Sequence, residues 1–298
     1  MDQAYTCLQA GRTLDGMQSL VHDLQERRTS LTNGSWKDFI SSQALTHPVR
    51  DWVHSDPFTQ RSFDKPRGYP GDAELIDHIY GTGSASRAPH PASMPGQIYF
   101  YTTTSPACRA VRFRRRYMAR LIDEVVSNVP NARVLSIAAG HLREIELCKM
   151  LPKDGVSITA LDQDESSVAV VSNEYARLGV ETIRGTVREI LSGRLRLTNF
   201  DLVYAGGLFD YLSEPVARRL VEIMFEALNP GGKLMFANFL PNIPDVGYME
   251  SFMDWWLIYR TESELADLAK SISRSEMASL QCTRDPDQNI AFLTLRKK

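Results

Sequence analysis

Two patterns of apolar and polar positions divide the chain. From Met1 to about Pro106, apolar residues recur at helical spacing between polar, Pro- and Gly-rich stretches. In "MQSLVHDLQERR", Met17, Leu20, Val21 and Leu24 share one face, and in "GDAELIDHIYG" so do Leu75, Ile76, Ile79 and Tyr80. Residues 81–96, "GTGSASRAPHPASMPG", read as a loop whose length predicts a mobile or functional segment. From about Arg109, helices alternate with apolar runs. A helix over 110–128 leads into a strand over 133–138. Further strands are predicted over 157–161, 181–184, 200–205 and 233–239, and 279–284 and 289–296 form a closing pair around the turn "DPDQ". This alternation predicts an α/β fold: a doubly wound, Rossmann-like sheet of seven strands, mostly parallel with an antiparallel last hairpin, preceded by a helical N-terminal segment. The division expected is 1–108, a helical lid and substrate segment, and 109–298, the sheet domain.

Composition narrows the partners. A net charge of −2 provides no whole-protein field favouring nucleic acid or an anionic membrane. No apolar run approaches the roughly 20 residues of a spanning helix. The N-terminus lacks a basic stretch followed by an apolar one, so no signal peptide is expected. Cys7, Cys108, Cys148 and Cys282 form no CxxC pair, which favours reduced thiols and argues against zinc. The expectation is a cytoplasmic protein with a small-molecule substrate, no nucleic acid, no membrane and no metal; a homodimer is compatible with the sequence.

The candidate chemistry starts at "VLSIAAGHLREIEL", residues 134–147, read as a strand, a tight turn and a helix start. In a doubly wound sheet the ligand lies beyond the carboxyl ends of the strands, at the first βα turn. Gly140 permits close backbone approach, and Asp162 in "ITALDQD" ends the second strand, where an acid binds ribose hydroxyls. The bland alternative is an ordinary turn plus a helix-capping Asp. A dinucleotide asks for GxGxxG to cradle its pyrophosphate, and here the three positions read Ala138, Gly140 and Arg143. S-adenosylmethionine has no phosphate and needs one close approach, so the broken fingerprint favours it over NAD.

Later segments point the same way. The stretch from Arg133 to Phe239 resembles a class I S-adenosylmethionine-dependent methyltransferase. "VLSIAAGH", "ALDQD", "IRGTVREI", "FDLVYAGGLFDYL" and "ALNPGGKLMFANF" stand in for its motifs in order. A narrower resemblance runs through "KPRGYPGDAELIDHIY", "SPACRAVRFRRRYM", "GLFDYL" and "DWWLIYRTESEL". These look like a bacterial subfamily that includes the enzymes making 3-hydroxypalmitic acid methyl ester. By motif position the resemblance implies that Ala138, Gly140 and His141 line the methionine part of the cofactor. It assigns the ribose to Asp162, sets Gln163 beside the adenine, and places Thr186 and Val187 at the adenine edge. Ala205 and Gly206 face the reacting end. The product cofactor would be S-adenosylhomocysteine.

"AGGLFDY" lacks both the Asn/Asp-Pro-Pro-aromatic signature of N-methylation and a neighbouring His. This favours a nucleophile needing no base, such as an ionised carboxylate or a thioether. A carboxylate-bearing substrate asks for an Arg. Arg115 and Arg260 are the candidates, with Trp256 and Tyr259 flanking Arg260. On the helix over 110–128, Val111, Met118, Leu121 and Val125 form an apolar stripe into which Arg114 falls, while Arg112, Arg115, Arg116 and Arg120 occupy opposite or flanking faces. Tyr69 and Asp72 in "RGYPGD", and Asp210 and Tyr211 after the fourth strand, are placed to touch substrate. Capping alone also explains Asp72. The leading substrate is the carboxyl oxygen of a hydroxy fatty acid, with an apolar tunnel expected. S- or N-methylation of a free amino acid such as methionine, or non-catalytic binding of the cofactor, stand as alternatives.

Overall fold

The computed structural model describes residues 1–83 and 88–298. Residues 84–87 of the expected 81–96 loop lie outside that description. Two compact units make up the chain: residues 1–112 with 242–256, and residues 113–241 with 257–298.

The second unit is a seven-stranded sheet, β1 Arg133–Ile137, β2 Ser157–Asp162, β3 Val180–Arg184, β4 Phe200–Ala205, β5 Leu228–Phe239, β6 Met277–Arg284 and β7 Ile290–Lys297, ordered β3-β2-β1-β4-β5-β7-β6. The first five pair in parallel, and β7 runs antiparallel between β5 and β6. The mostly parallel Rossmann-like sheet with its antiparallel final hairpin is therefore as the sequence predicts. β1 and β4 are almost wholly buried, as strands covered on both faces require. One core packs Leu135, Val203, Leu234 and Leu293 of the sheet against Leu220, Val221 and Met224 of the helix Glu214–Glu226. β3 and β6 are the edge strands, and β6 is largely exposed.

The order β3-β2-β1-β4 makes β1 and β4 neighbours whose helical connections leave in opposite directions. In open α/β sheets such a switch point is where loops beyond the carboxyl ends diverge and ligands bind. The segment after β1 departs from expectation. In place of an α-helix, Arg143–Leu147 forms a short 3₁₀ helix.

The first unit is helical. Its helices include Thr13–Ser30, Asn33–Phe39, Pro57–Asp64, Ala73–Tyr80 and Met94–Thr103. Met17, Leu20, Leu24, Trp36 and Phe58 are its buried anchors. The sequence division placed 242–256 with the sheet, whereas the structure groups it with these helices. The reason is long-range pairing. Glu250, buried in the helix Val246–Phe252, accepts from the Trp36 Nε1 at 2.7 Å and the Arg28 Nε at 2.5 Å. Gly247 lies so close to the Leu24 backbone that a Cβ would sit 2.6 Å from its carbonyl. The helix Met94–Thr103 also starts inside the expected loop. Ser93 caps it, Pro95 opens it, and Gly96 fits because a Cβ there would meet the His90 carbonyl oxygen at 2.1 Å. The helix Pro106–Asn128 belongs to the first unit through Arg112 and to the second from Phe113.

Candidate functional site at the carboxyl ends of the sheet strands

The turn after β1 is built from left-handed residues. Ala138, Gly140 and Leu142 have φ of 54, 55 and 51°. For Ala and Leu this conformation carries a steric cost, held here by surrounding bonds. Ala139 donates its N–H to the Leu161 carbonyl, and Gly140 donates to the Asp162 Oδ2 at 2.8 Å. Asp162 Oδ1 accepts from the Asp164 N–H at 2.9 Å. The carboxylate at the end of β2 thus ties the first turn to the second. Burial raises its pKa, opposed by these backbone bonds. A carboxylate has about four acceptor sites, so capacity for a further donor remains. Ala138 and Gln163 are exposed, Gly140 is half-buried, and His141 is buried.

Thr186 caps the short helix Val187–Leu191. Its hydroxyl accepts from the Glu189 N–H, and the Glu189 carboxylate accepts from the Thr186 N–H and hydroxyl. The Thr186 side chain is thereby committed to the capping box. Ala205 is buried at the end of β4, and Gly206 and Gly207 follow it half-buried.

Several expected substrate residues have structural partners. Arg115 donates its Nε to the Arg143 carbonyl at 2.9 Å and its Nη2 to Glu146 at 2.5 Å, bracing the segment behind the β1 turn. Arg143 pairs there with Glu146 and Glu174 and donates to the Tyr175 hydroxyl. Arg260, 5% exposed, donates to the carbonyls of Phe209 and Leu212 and to the Asn238 Oδ1. Its planar fork holds the chain after β4. Asp210 is buried, and its Oδ1 accepts from the Phe239 N–H at 2.7 Å. Burial pushes its carboxyl up to about 7, against the pull of Arg114 and Arg260. Tyr211 is exposed beside it, and Tyr259 is half-buried.

In the helical unit, Asp72 caps Ala73–Tyr80 through the Leu75 N–H and receives the Arg61 guanidinium on both oxygens. Trp256 donates its Nε1 to Asp254, with Lys37 over its ring. Tyr69 is half-buried in the preceding turn. The structure therefore brings Ala138, Gly140, His141, Asp162, Gln163, Thr186, Val187, Ala205, Gly206, Asp210, Tyr211, Arg115, Tyr259 and Arg260 into the sheet unit. Tyr69, Asp72 and Trp256 belong to the helical one.

Sequence reasoning missed Arg114 as a site residue. It is 7% exposed, and its guanidinium lies against Gly207. A Cβ there would sit 3.1 Å from Nη1 and 3.3 Å from Nη2. A Cβ at Gly206 would meet Met118 Sδ at 2.7 Å. The signal was in the chain: an arginine in register with the apolar stripe of its helix must be buried, and a buried cation asks for a partner. Among the described residues no cluster of His, Cys, Asp and Glu forms a metal site, and no helix is long and apolar enough to cross a membrane.

Comparison with known proteins adds to this geometry. Residues 134–232, about a third of the chain, match the family model described as a methyltransferase domain. No curated protein matches the chain. Among solved structures, it is similar to a Bordetella parapertussis protein described as a possible exported protein. The identity is 14%, over 86% of this chain and 99% of that one, with a TM-score of 0.62. It is also similar to the N-methyltransferase NodS of Bradyrhizobium japonicum in complex with S-adenosyl-L-homocysteine, at 17% identity, covering 63% and 87% of the two chains, TM-score 0.45.

The residues present fit an adenosine cofactor with a sulfonium. The left-handed turn exposes backbone at Gly140, Asp162 has lone pairs to accept from hydroxyls, and Gly206–Gly207 leave a face without Cβ atoms beside an arginine. Residues 134–232 thus match a methyltransferase domain, carried on a sheet ordered β3-β2-β1-β4-β5-β7-β6.

Proposed function

We propose that the enzyme methylates the carboxyl oxygen of a small carboxylate-bearing metabolite, a hydroxy fatty acid in the first instance. One observation carries this reading. The segment after β4, "GGLFDY", contributes one titratable carboxyl beside the buried end of the strand, Asp210. That carboxyl already accepts from the Phe239 N–H and is buried. A hydroxyl or ammonium acceptor needs a base to take its proton, and an ionised carboxylate does not. The bound cofactor supplies a methyl group on a positively charged sulfur, open to in-line displacement by a carboxylate oxygen while the bonding pair stays on sulfur.

The chain's own work is then positioning and exclusion of water. Gly140 and its left-handed neighbours would bring backbone against the methionine part. Asp162 would accept from the ribose hydroxyls, and the Val187 backbone would border the adenine. Ala205 and Gly206 would leave the reacting end clear. The choice of a hydroxy fatty acid rests on the resemblance of "KPRGYPGDAELIDHIY" and "DWWLIYRTESEL" to the 3-hydroxypalmitic acid methyl ester subfamily. An amino-acid acceptor would need Asp72 or Asp210 to hold its ammonium. Asp72 is already paired with Arg61 on both oxygens, which weakens that reading.

The test is mass spectrometry after incubation with S-adenosylmethionine and either 3-hydroxypalmitate or methionine. The expected result is one added methyl on the fatty acid, released by mild base as an ester is. Methyl transfer to methionine, with none to the fatty acid, would overturn the proposal.

A further inference from the structure

The candidates outside the cofactor turn are few. In the helical unit, the buried Asp56 accepts from the Phe58 and Thr59 N–H groups and from two threonine hydroxyls, so it is fully engaged. Glu250 is paired with Arg28 and Trp36. Arg114 differs from both.

Its side chain is more than nine-tenths buried, and its Nε has no hydrogen-bond acceptor among the described residues. Among the described residues no acid lies within ion-pair distance of it. Glu144 and Asp210 are near enough to feel its charge, and both are held elsewhere: Glu144 by the Tyr204 hydroxyl at 2.6 Å, Asp210 by the Phe239 N–H. Burying a guanidinium without a partner is costly, so such a group is retained where an anion completes it. The two glycines beyond β4 leave room for it to lie close against the chain there. A side chain at 207 would press on Nη1 and Nη2, and one at 206 on Met118.

We propose that Arg114 is the carboxylate-binding residue of this enzyme, receiving the anion at the carboxyl end of β4 beside Gly206 and Gly207. A guanidinium offers a planar fork that matches a carboxylate. Two carboxylates can reach a methyl-transfer site, that of the cofactor's amino-acid part and that of the acceptor. Only the second source rests on the acceptor class proposed above.

Calorimetry on the full chain separates them. Three ligands are titrated into wild type and Arg114→Gln: S-adenosylhomocysteine, 5′-methylthioadenosine, which lacks the amino-acid carboxylate, and 3-hydroxypalmitate in saturating S-adenosylhomocysteine. If the anion is the cofactor's, Arg114→Gln weakens S-adenosylhomocysteine at least tenfold and leaves 5′-methylthioadenosine within twofold. If it is the acceptor's, S-adenosylhomocysteine is unchanged and 3-hydroxypalmitate weakens at least tenfold.

The assignment is overturned if the two nucleosides weaken equally, which marks general damage to the site. It is also overturned if neither carboxylate ligand changes, including the case in which wild type binds no fatty acid. Should Arg114→Gln fail to fold, Gly207→Ala keeps the charge and displaces the guanidinium. Roughly threefold weaker binding of the same carboxylate ligand is expected from it, and unchanged binding of both refutes the proposal. Methyl transfer to 3-hydroxypalmitate tests the acceptor independently, so the two readings can fail separately.

Discussion

Asp162→Asn isolates the joint between the first and second turns. In the native chain both carboxylate oxygens accept backbone N–H groups, Oδ2 from Gly140 at 2.8 Å and Oδ1 from Asp164 at 2.9 Å. An asparagine has one acceptor oxygen and one donor nitrogen. Whichever way the amide turns, one backbone N–H faces another donor. An unsatisfied buried donor costs about 1–3 kcal/mol, and the surviving bond loses its charge assistance. A loss of about 2 kcal/mol in unfolding free energy is expected, measured by urea denaturation at neutral pH. Gly140 would then lose the bond that fixes its place in the left-handed turn. Affinity for S-adenosylhomocysteine should fall tenfold or more by calorimetry, because the same change also removes a charged acceptor for the ribose. Stability within about 0.5 kcal/mol of wild type, together with unchanged affinity, would refute the argument that this carboxylate organises the turn and meets the cofactor.

Other perturbations follow from the same geometry. Asp210 has a folded pKa of about 7 against 3.8, so the folded chain holds its proton to higher pH than the unfolded chain does. Native stability should therefore fall as pH rises from about 4 to about 7, by at most about 4 kcal/mol. Asp210→Asn, whose oxygen can still accept from Phe239, should flatten that slope in pH-dependent denaturation; an identical slope would remove Asp210 as its source. Arg260→Met leaves the carbonyls of Phe209 and Leu212 and the Asn238 oxygen without their donor, for an expected loss of about 3 kcal/mol. Unchanged denaturation would contradict the structural role given to Arg260. Gly247→Ala drives a Cβ against the Leu24 backbone and should destabilise the chain by about 1–3 kcal/mol, read as a lowered thermal midpoint.

The strands were legible because runs such as "VLSI" and "FDLVYA" combine apolar continuity with short length, and alternation with helices announced their parallel pairing. The β1 turn was legible in place but not in shape. Ala138 and Leu142 adopt positive φ without being glycine, so nothing local announces it; Asp162 and the β2 end impose it from outside. Gly96 disguised a helix start that Ser93 and Pro95 already signalled. Helical periodicity put Arg114 on the apolar stripe and Arg115 off it, yet both are buried. Arg115 is drawn in by Arg143 and Glu146, partners that lie 28 and 31 residues away. Glu250 joins the helical unit through Arg28 and Trp36, and pairings 222 and 214 residues apart leave no periodic trace.

The most direct measurement is a calorimetric titration of the wild-type chain with S-adenosylhomocysteine and, separately, with NAD. The account predicts saturable binding of S-adenosylhomocysteine at one site per chain and no detectable binding of NAD, since the turn lacks two of the three glycines that cradle a pyrophosphate. Binding of NAD with none of S-adenosylhomocysteine would contradict it.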